Sequence, residues 1–220
     1  MYAINQQIEA FADQVRFVIP DRSGYGRSAR LPRQLPTDFH QRAAGDALGI
    51  DRAIFWGHSD GAVIAARIGL LAPQRCLWLI LEAFHFYRST PNSRGFFKRF
   101  ATHPDDVPEK TRSLLLLDHG DEQWRKLVQR NCRAWLKIAT RSKRSVDDLY
   151  DGRLSELKVP VTLMYGRGDP RTEPGEMERA SEALMRADMR LIEVGRHSPH
   201  SERESWRECN RILSESLVRK

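Results

Sequence analysis

Three short stretches of this 220-residue chain hold side chains that could carry out acyl transfer. Gly57-His58-Ser59-Asp60-Gly61 fits the spacing G-x-S-x-G and sits between an apolar run, Ala53 to Trp56, and a helix-like pattern, Ala62 to Leu71. A serine on so sharp a strand-to-helix turn presents its hydroxyl clear of the backbone, and flanking residues without Cβ atoms let the two elements approach. A serine hydroxyl is a weak nucleophile near neutral pH, so it needs a base to take its proton and a carboxylate to orient that base. Tyr165-Gly166-Arg167-Gly168-Asp169-Pro170 places an acid after one apolar run, and Gly195-Arg196-His197-Ser198-Pro199-His200 places two histidines after the next. His197 and His200 are both candidate bases, and Glu82, just past the run Cys76 to Leu81, is a second candidate acid. The backbone N–H that follows the nucleophile, at Asp60, is expected to donate to the developing oxyanion. His58 and Trp56 read as packing residues. His85, with Phe84, Phe86 and Tyr87, stands where it could line a substrate pocket or join an aromatic core cluster.

The elements that must position these residues follow from periodicity. Ile4, Ile8, Phe11, Ala12 and Val15 recur at three- and four-residue spacing and predict an opening helix. Arg16 to Pro20 reads as a short strand, followed by the glycine-punctuated loop Asp21 to Ser28. Ala53 to Trp56, Cys76 to Leu81, Val161 to Tyr165 and Met189 to Val194 are further strands, alternating with helices at Ala62 to Leu71, Glu176 to Ala187 and Ser201 to Val218. Short strands apolar on both faces and interleaved with amphipathic helices predict an α/β fold, a parallel sheet covered on both sides. Between Ala83 and Lys158 the alternation stops and helical patterns dominate, with Trp124, Leu127, Val128, Cys132, Trp135 and Ile138 along one face. Residues 1–83 and 158–220 therefore form the core, and 84–157 a helical lid inserted in it.

Composition narrows the function classes. No apolar stretch approaches the roughly 20 residues a membrane-spanning helix needs, and Met1 to Asn5 lack a signal-peptide pattern, so a cytoplasmic protein with no membrane partner is expected. The formal net charge is +7, but the arginines are dispersed and form no recognition helix or basic tail, which argues against nucleic acid as a partner. Cys76, Cys132 and Cys209 are far apart and without a C-x-x-C pair; they suggest buried thiols and no metal site.

Taken together, the motifs resemble the α/β-hydrolase superfamily, and particularly its valacyclovir-hydrolase-like and enol-lactonase-like members. The matches are Asp-x-x-Gly-x-Gly-x-Ser at Asp21 to Ser28, the Gly-x-Ser-Asp-Gly turn, Gly-x-x-Asp-Pro at Gly166 to Pro170, and His-x-Pro-His-x-Glu at His197 to Glu202. The resemblance implies Ser59 as nucleophile, Asp169 as acid and His197 as base, the second histidine of the pair opening the last helix. It implies hydrolysis of a small-molecule carboxylic ester, lactone or related acyl substrate through an acyl-serine, without cofactor or metal. A serine at the turn disfavours the dehalogenase and epoxide-hydrolase chemistries, which use aspartate there. The competing expectation is a catalytically impaired fragment or a non-catalytic ligand-binding relative. The family's other oxyanion donor comes from a His-Gly loop after its third strand, and no such run precedes the opening helix here. The expectation is accordingly a chain whose first strands are missing through a misassigned start or a gene fragment. It should then have a gap in the sheet between Arg16 to Pro20 and Ala53 to Trp56, weak activity and poor solubility or self-association.

Overall fold

The parallel sheet follows from four short apolar runs, each too short to be a stable helix and each followed by an amphipathic one. A computed structural model describes residues 4–22, 25–26, 28, 38–40, 51–141 and 147–218. Its strands are β1 (Ala53–His58), β2 (Cys76–Glu82), β3 (Val161–Gly166) and β4 (Asp188–Ile192), parallel and in that order across the sheet. The helices are α1 (Asn5–Phe11), α2 (Asp60–Leu71), α3 (Pro91–Thr102), α4 (Glu109–His119), α5 (Asp121–Thr140), α6 (Glu176–Ala183) and α7 (Trp206–Val218).

Side chains alternate across each strand, and here both faces are apolar. Leu79, Leu81, Leu163 and Tyr165 point into a core shared with α2 and the 84–157 segment, while Ile80, Met164 and Ile192 pack against Phe11 of α1 and Cys209, Ile212 and Leu213 of α7. Burying each such aliphatic side chain contributes about 1.5–3 kcal/mol. The α/β expectation is met, and α3, α4 and α5 fill the interval between β2 and β3. On α5, Trp124, Leu127, Cys132, Trp135 and Ile138 are buried as their spacing predicts, and Trp135 stacks on Phe97 of α3 with ring centroids 5.6 Å apart. The three cysteines are buried, and burial pushes the Cys76 and Cys132 thiols up to about 11.

Two expectations need correction. Arg16 to Pro20 is not a strand: the segment is irregular, and among the described residues none of its amides finds a backbone acceptor. With β1 it lines a cavity of about 930 Å³, to which Phe17, Val18 and Ile19 and, from β1, Ile54, Phe55 and Trp56 contribute. A strand exists only where its backbone groups pair with a neighbour's, and among the described residues the amides of this segment make no such bond. The last helix starts at Trp206 rather than Ser201; in the turns ahead of it the Glu202 carboxylate reaches back to accept the N–H groups of Arg196 (2.7 Å) and Ser198 (2.8 Å). Of the Asp21 to Ser28 loop, Ser23, Gly24 and Arg27 lie outside the described residues.

Candidate active site

Ser59, His85, Asp169 and His197 leave the carboxyl ends of β1, β2, β3 and β4 respectively, the edge of an open α/β sheet at which ligands bind. Ser59 sits at φ 54° and ψ −117°, a left-handed strain that costs a non-glycine residue of order 1–3 kcal/mol. Its N–H is anchored to the Glu82 carbonyl at 2.9 Å. The turn closes because Gly57 has no side chain: a Cβ there would lie 2.1 Å from the Gly61 carbonyl oxygen, whereas a Cβ on Gly61 would meet nothing within 4 Å. The two glycines of the motif are thus not equivalent, since only the first is sterically required.

Asp169 is held by its own loop. Its Oδ1 accepts the Arg171 N–H at 2.8 Å, and its Oδ2 accepts the Thr172 hydroxyl at 3.2 Å and His197 Nδ1 at 2.9 Å. Burial opposes ionisation of Asp169, yet the hydrogen bond and charge of His197 and the Arg171 N–H together outweigh it and hold the carboxyl below its ordinary value. For His197, burial lowers the pKa, Asp169 raises it and Arg171 lowers it, with a net downward shift. A guanidinium can only donate, so Arg171 Nη1, 3.1 Å from His197 Nε2, makes that nitrogen the acceptor and leaves the ring proton on Nδ1, facing Asp169. His58 donates to the His197 carbonyl at 2.7 Å, pinning the loop; burial pulls its own pKa down to about 4, so it is neutral. The packing role read for His58 includes this tether.

Ser59 Oγ has its described hydrogen bond with His85 Nε2, at 3.5 Å. His85 is buried, its Nδ1 lacks a hydrogen-bond partner, and the nearest carboxylate oxygen is Glu176 Oε2 at 3.9 Å. Glu176 itself receives the backbone N–H groups of Phe86 (2.7 Å), Tyr87 (3.2 Å) and Glu173 (3.0 Å), and the Tyr165 and Tyr150 hydroxyls donate to the carbonyls of Phe84 and His85, both at 3.0 Å. These bonds lock the segment after β2. Phe84 stacks on Tyr150 and, with Phe86 and Tyr87, belongs to the main core; of the four aromatic candidates, His85 is the one brought to Ser59.

The two rivals meet each other. Glu82 Oε1 accepts His200 Nδ1 at 2.8 Å and its backbone N–H at 3.1 Å, and Trp56 Nε1 donates to Oε2 at 3.1 Å, all in the interior. Burial opposes the Glu82 charge, but His200 and His58 together outweigh it, and its pKa is lowered.

Asp60 carries more than a backbone donor. Its buried carboxylate accepts Asn131 Nδ2 (2.7 Å) and Trp135 Nε1 (2.8 Å) from α5, lies 3.4 Å from His40 Nε2, and has Arg22 at 3.9 Å. Burial works against its charge, but His40, Arg22 and Asn131 overcome that and hold it well below the carboxylate range. Sequence spacing missed His40, Arg22, Asn131, Arg171 and Glu176. An acid inside the G-x-S-x-G turn, where its side chain must leave the sheet, was the one available signal that a polar partner would come from the inserted helices.

The sequence pattern of the alpha/beta hydrolase family matches residues 2–211. No curated protein matches the chain. Among solved structures, a thermophilic esterase from Thermogutta terrifontis aligns at TM-score 0.69 and 20% identity over 99% of this chain and 85% of its own. NosK from Streptomyces actuosus aligns at TM-score 0.70 and 18% identity, covering 98% and 91%. The enol-lactonase from Burkholderia xenovorans LB400 aligns at 0.67 and 17%, covering 98% and 86%. At such identities the likeness is one of fold.

Proposed function

The chain belongs to the alpha/beta hydrolase family, and from that premise we propose that it is a serine hydrolase cleaving a carboxylic ester, lactone or related acyl substrate. The observation that carries this reading is the Asp169–His197 pair, hydrogen-bonded at 2.9 Å and set at the same end of the sheet as the strained Ser59 turn. In the reaction Ser59 Oγ bonds to the acyl carbon while its proton passes to His197 Nε2. The carbonyl oxygen becomes the oxyanion, with the Asp60 N–H as one donor. The C–O bond to the leaving group then breaks and His197 returns the proton to it. Water, deprotonated by His197, then bonds to the acyl carbon, and the C–Oγ bond breaks as His197 returns the proton to Ser59 and the acid leaves. Asp169 keeps the ring in the Nδ1–H tautomer and stabilises the imidazolium. The 84–157 helices cover the site, and α5 is tied to the turn through Asn131 and Trp135.

The Ser59–His85 contact supports a second reading, in which His85 takes the proton with Glu176 behind it. Labelling by a fluorophosphonate probe tests the class: the chain should react and Ser59→Ala should not. Among labelled variants, His197→Ala should lower kcat/KM on p-nitrophenyl esters by about 10³–10⁴-fold, and His85→Ala by far less. The reverse order would make His85 the base. No labelling at all would reduce the protein to a ligand-binding relative.

A further inference from the structure

His197 is oriented by Asp169 as a base should be, yet the lone pair that must receive the Ser59 proton is occupied. Arg171 Nη1 donates into Nε2 at 3.1 Å, and a nitrogen accepting that bond cannot also accept a serine proton. Arg171 is an unusual residue to find there. Its Nε is sealed from solvent without a hydrogen-bond partner, and its guanidinium lies over the rings of Phe96 (4.6 Å) and Phe97 (5.3 Å) of α3. Two carboxylates, Asp60 and Asp169, are close enough to favour its charge, against a larger burial effect that opposes it. Their oxygens are already engaged, however, by His40, Asn131 and Trp135 for Asp60, and by Thr172, His197 and the Arg171 backbone for Asp169. The side chain is therefore a cation whose described hydrogen bond goes to a neutral imidazole, a weak partner for a charged fork shaped to fit a carboxylate through two parallel N–H bonds.

We propose that the substrate carries a carboxylate that binds Arg171, and that this binding draws the guanidinium off His197 Nε2 and frees the base. The inference rests on the serine-hydrolase reading and names its substrate class: the monoester or lactone of an acid bearing a second, ionised carboxyl group. The exchange is balanced. Arg171 moves its N–H bond from Nε2 to a carboxylate oxygen with no proton transferred, and Nε2 then accepts the Ser59 proton as Oγ bonds to the acyl carbon. A neutral ester reacts, through the same base, only when Arg171 leaves Nε2 unaided, and so more slowly; discrimination enters through activation of the base as well as through affinity.

Two measurements on the full chain test this. Calorimetric titration with glutarate reads the anion site without turnover; binding should weaken by about tenfold or more in Arg171→Met and much less in Arg171→Lys. Equal binding by wild type and Arg171→Met, or no binding by wild type, overturns the proposal. Hydrolysis of p-nitrophenyl hemiglutarate should exceed that of p-nitrophenyl pentanoate by at least about tenfold in kcat/KM, and Arg171→Met should lose this preference while gaining turnover on the neutral ester. Ser59-dependent hydrolysis of both esters at equal rates by wild type overturns the inference and leaves the hydrolase reading intact. Arg171-dependent glutarate binding with no Ser59-dependent turnover of either ester overturns the hydrolase reading, and with it the freeing of the base, and leaves an anion site at Arg171.

Discussion

At the scale of single residues, the site is a set of pKa values arranged so that one imidazole is neutral and correctly protonated. His197 is faced by Asp169, Arg171, His85 and His58, and burial is the largest influence on it, followed by the opposing effect of Asp169 and then the cation of Arg171. The net shift is downward from the ordinary histidine value of about 6.5. A base acts in its neutral form, so activity should persist as pH falls past 6.5 and disappear only as pH drops through the lower folded-state value. The acid limb of kcat/KM for a neutral ester, which reports the free enzyme, should have its midpoint below 6.5. Removing the Arg171 cation lifts the imidazole pKa, so the limb of Arg171→Met should move to higher pH. A wild-type midpoint above 6.5, or a limb that moves the other way, would remove His197 from the role of base.

The elements determine whether these residues meet, and the meeting depends on a close approach at the first turn of α2. Gly57, next to last in β1, lies against the carbonyl of Gly61, while Gly61 faces open space. Gly57→Ala therefore has to push two backbones apart and should cost more than about 3 kcal/mol, at the upper end of overpacking penalties. Gly61→Ala fills no occupied space and replaces a helical glycine, so it should gain up to about 1 kcal/mol. Urea denaturation midpoints of the two variants check this, and similar shifts for both would show that the turn is not packed as described. The carboxylate of Asp60 adds a polar fastening from this turn to α5, so α5 and the Ser59 turn are mechanically joined.

On the scale of the whole molecule, the chain carries a formal net charge of +7, and among the described residues the Arg171 guanidinium has its hydrogen bond with His197 rather than with a carboxylate. A positive surface concentrates anionic substrates, and salt screens that attraction as the Debye length contracts from about 20 Å at 0.02 M to about 4 Å at 0.5 M. Across that range kcat/KM for p-nitrophenyl hemiglutarate should fall several-fold, while that for the neutral pentanoate changes by less than about twofold. Equal salt sensitivity of the two esters would mean that the charge of the protein plays no part in selecting substrate. No helix among the described residues is long and apolar enough to cross a membrane.

Much of this was legible from local pattern alone. The strands β1 to β4, the helices α2 and α7 and the buried stripe of α5 each reveal themselves through apolar periodicity, because burial acts on every residue of an element in register. The Ser59, Asp169 and His197 candidates were legible for a related reason: glycine-bounded loops after buried strands are where a parallel sheet presents side chains to ligand. Which acid orients which histidine was legible only through the family resemblance and not from spacing. His197 and His200 are three residues apart, as alike in sequence as two candidates can be, and the choice of Asp169 for one and Glu82 for the other depends on which face of β4's following loop each occupies. Arg16 to Pro20 has the composition of a strand, but a strand exists only with a neighbour to bond, and composition carries no information about what lies 5 Å away. Arg171 is the clearest case. Its contact with His197 joins side chains 26 positions apart in sequence, and only packing the loop after β3 against α3 and against the loop after β4 sets that guanidinium on Nε2.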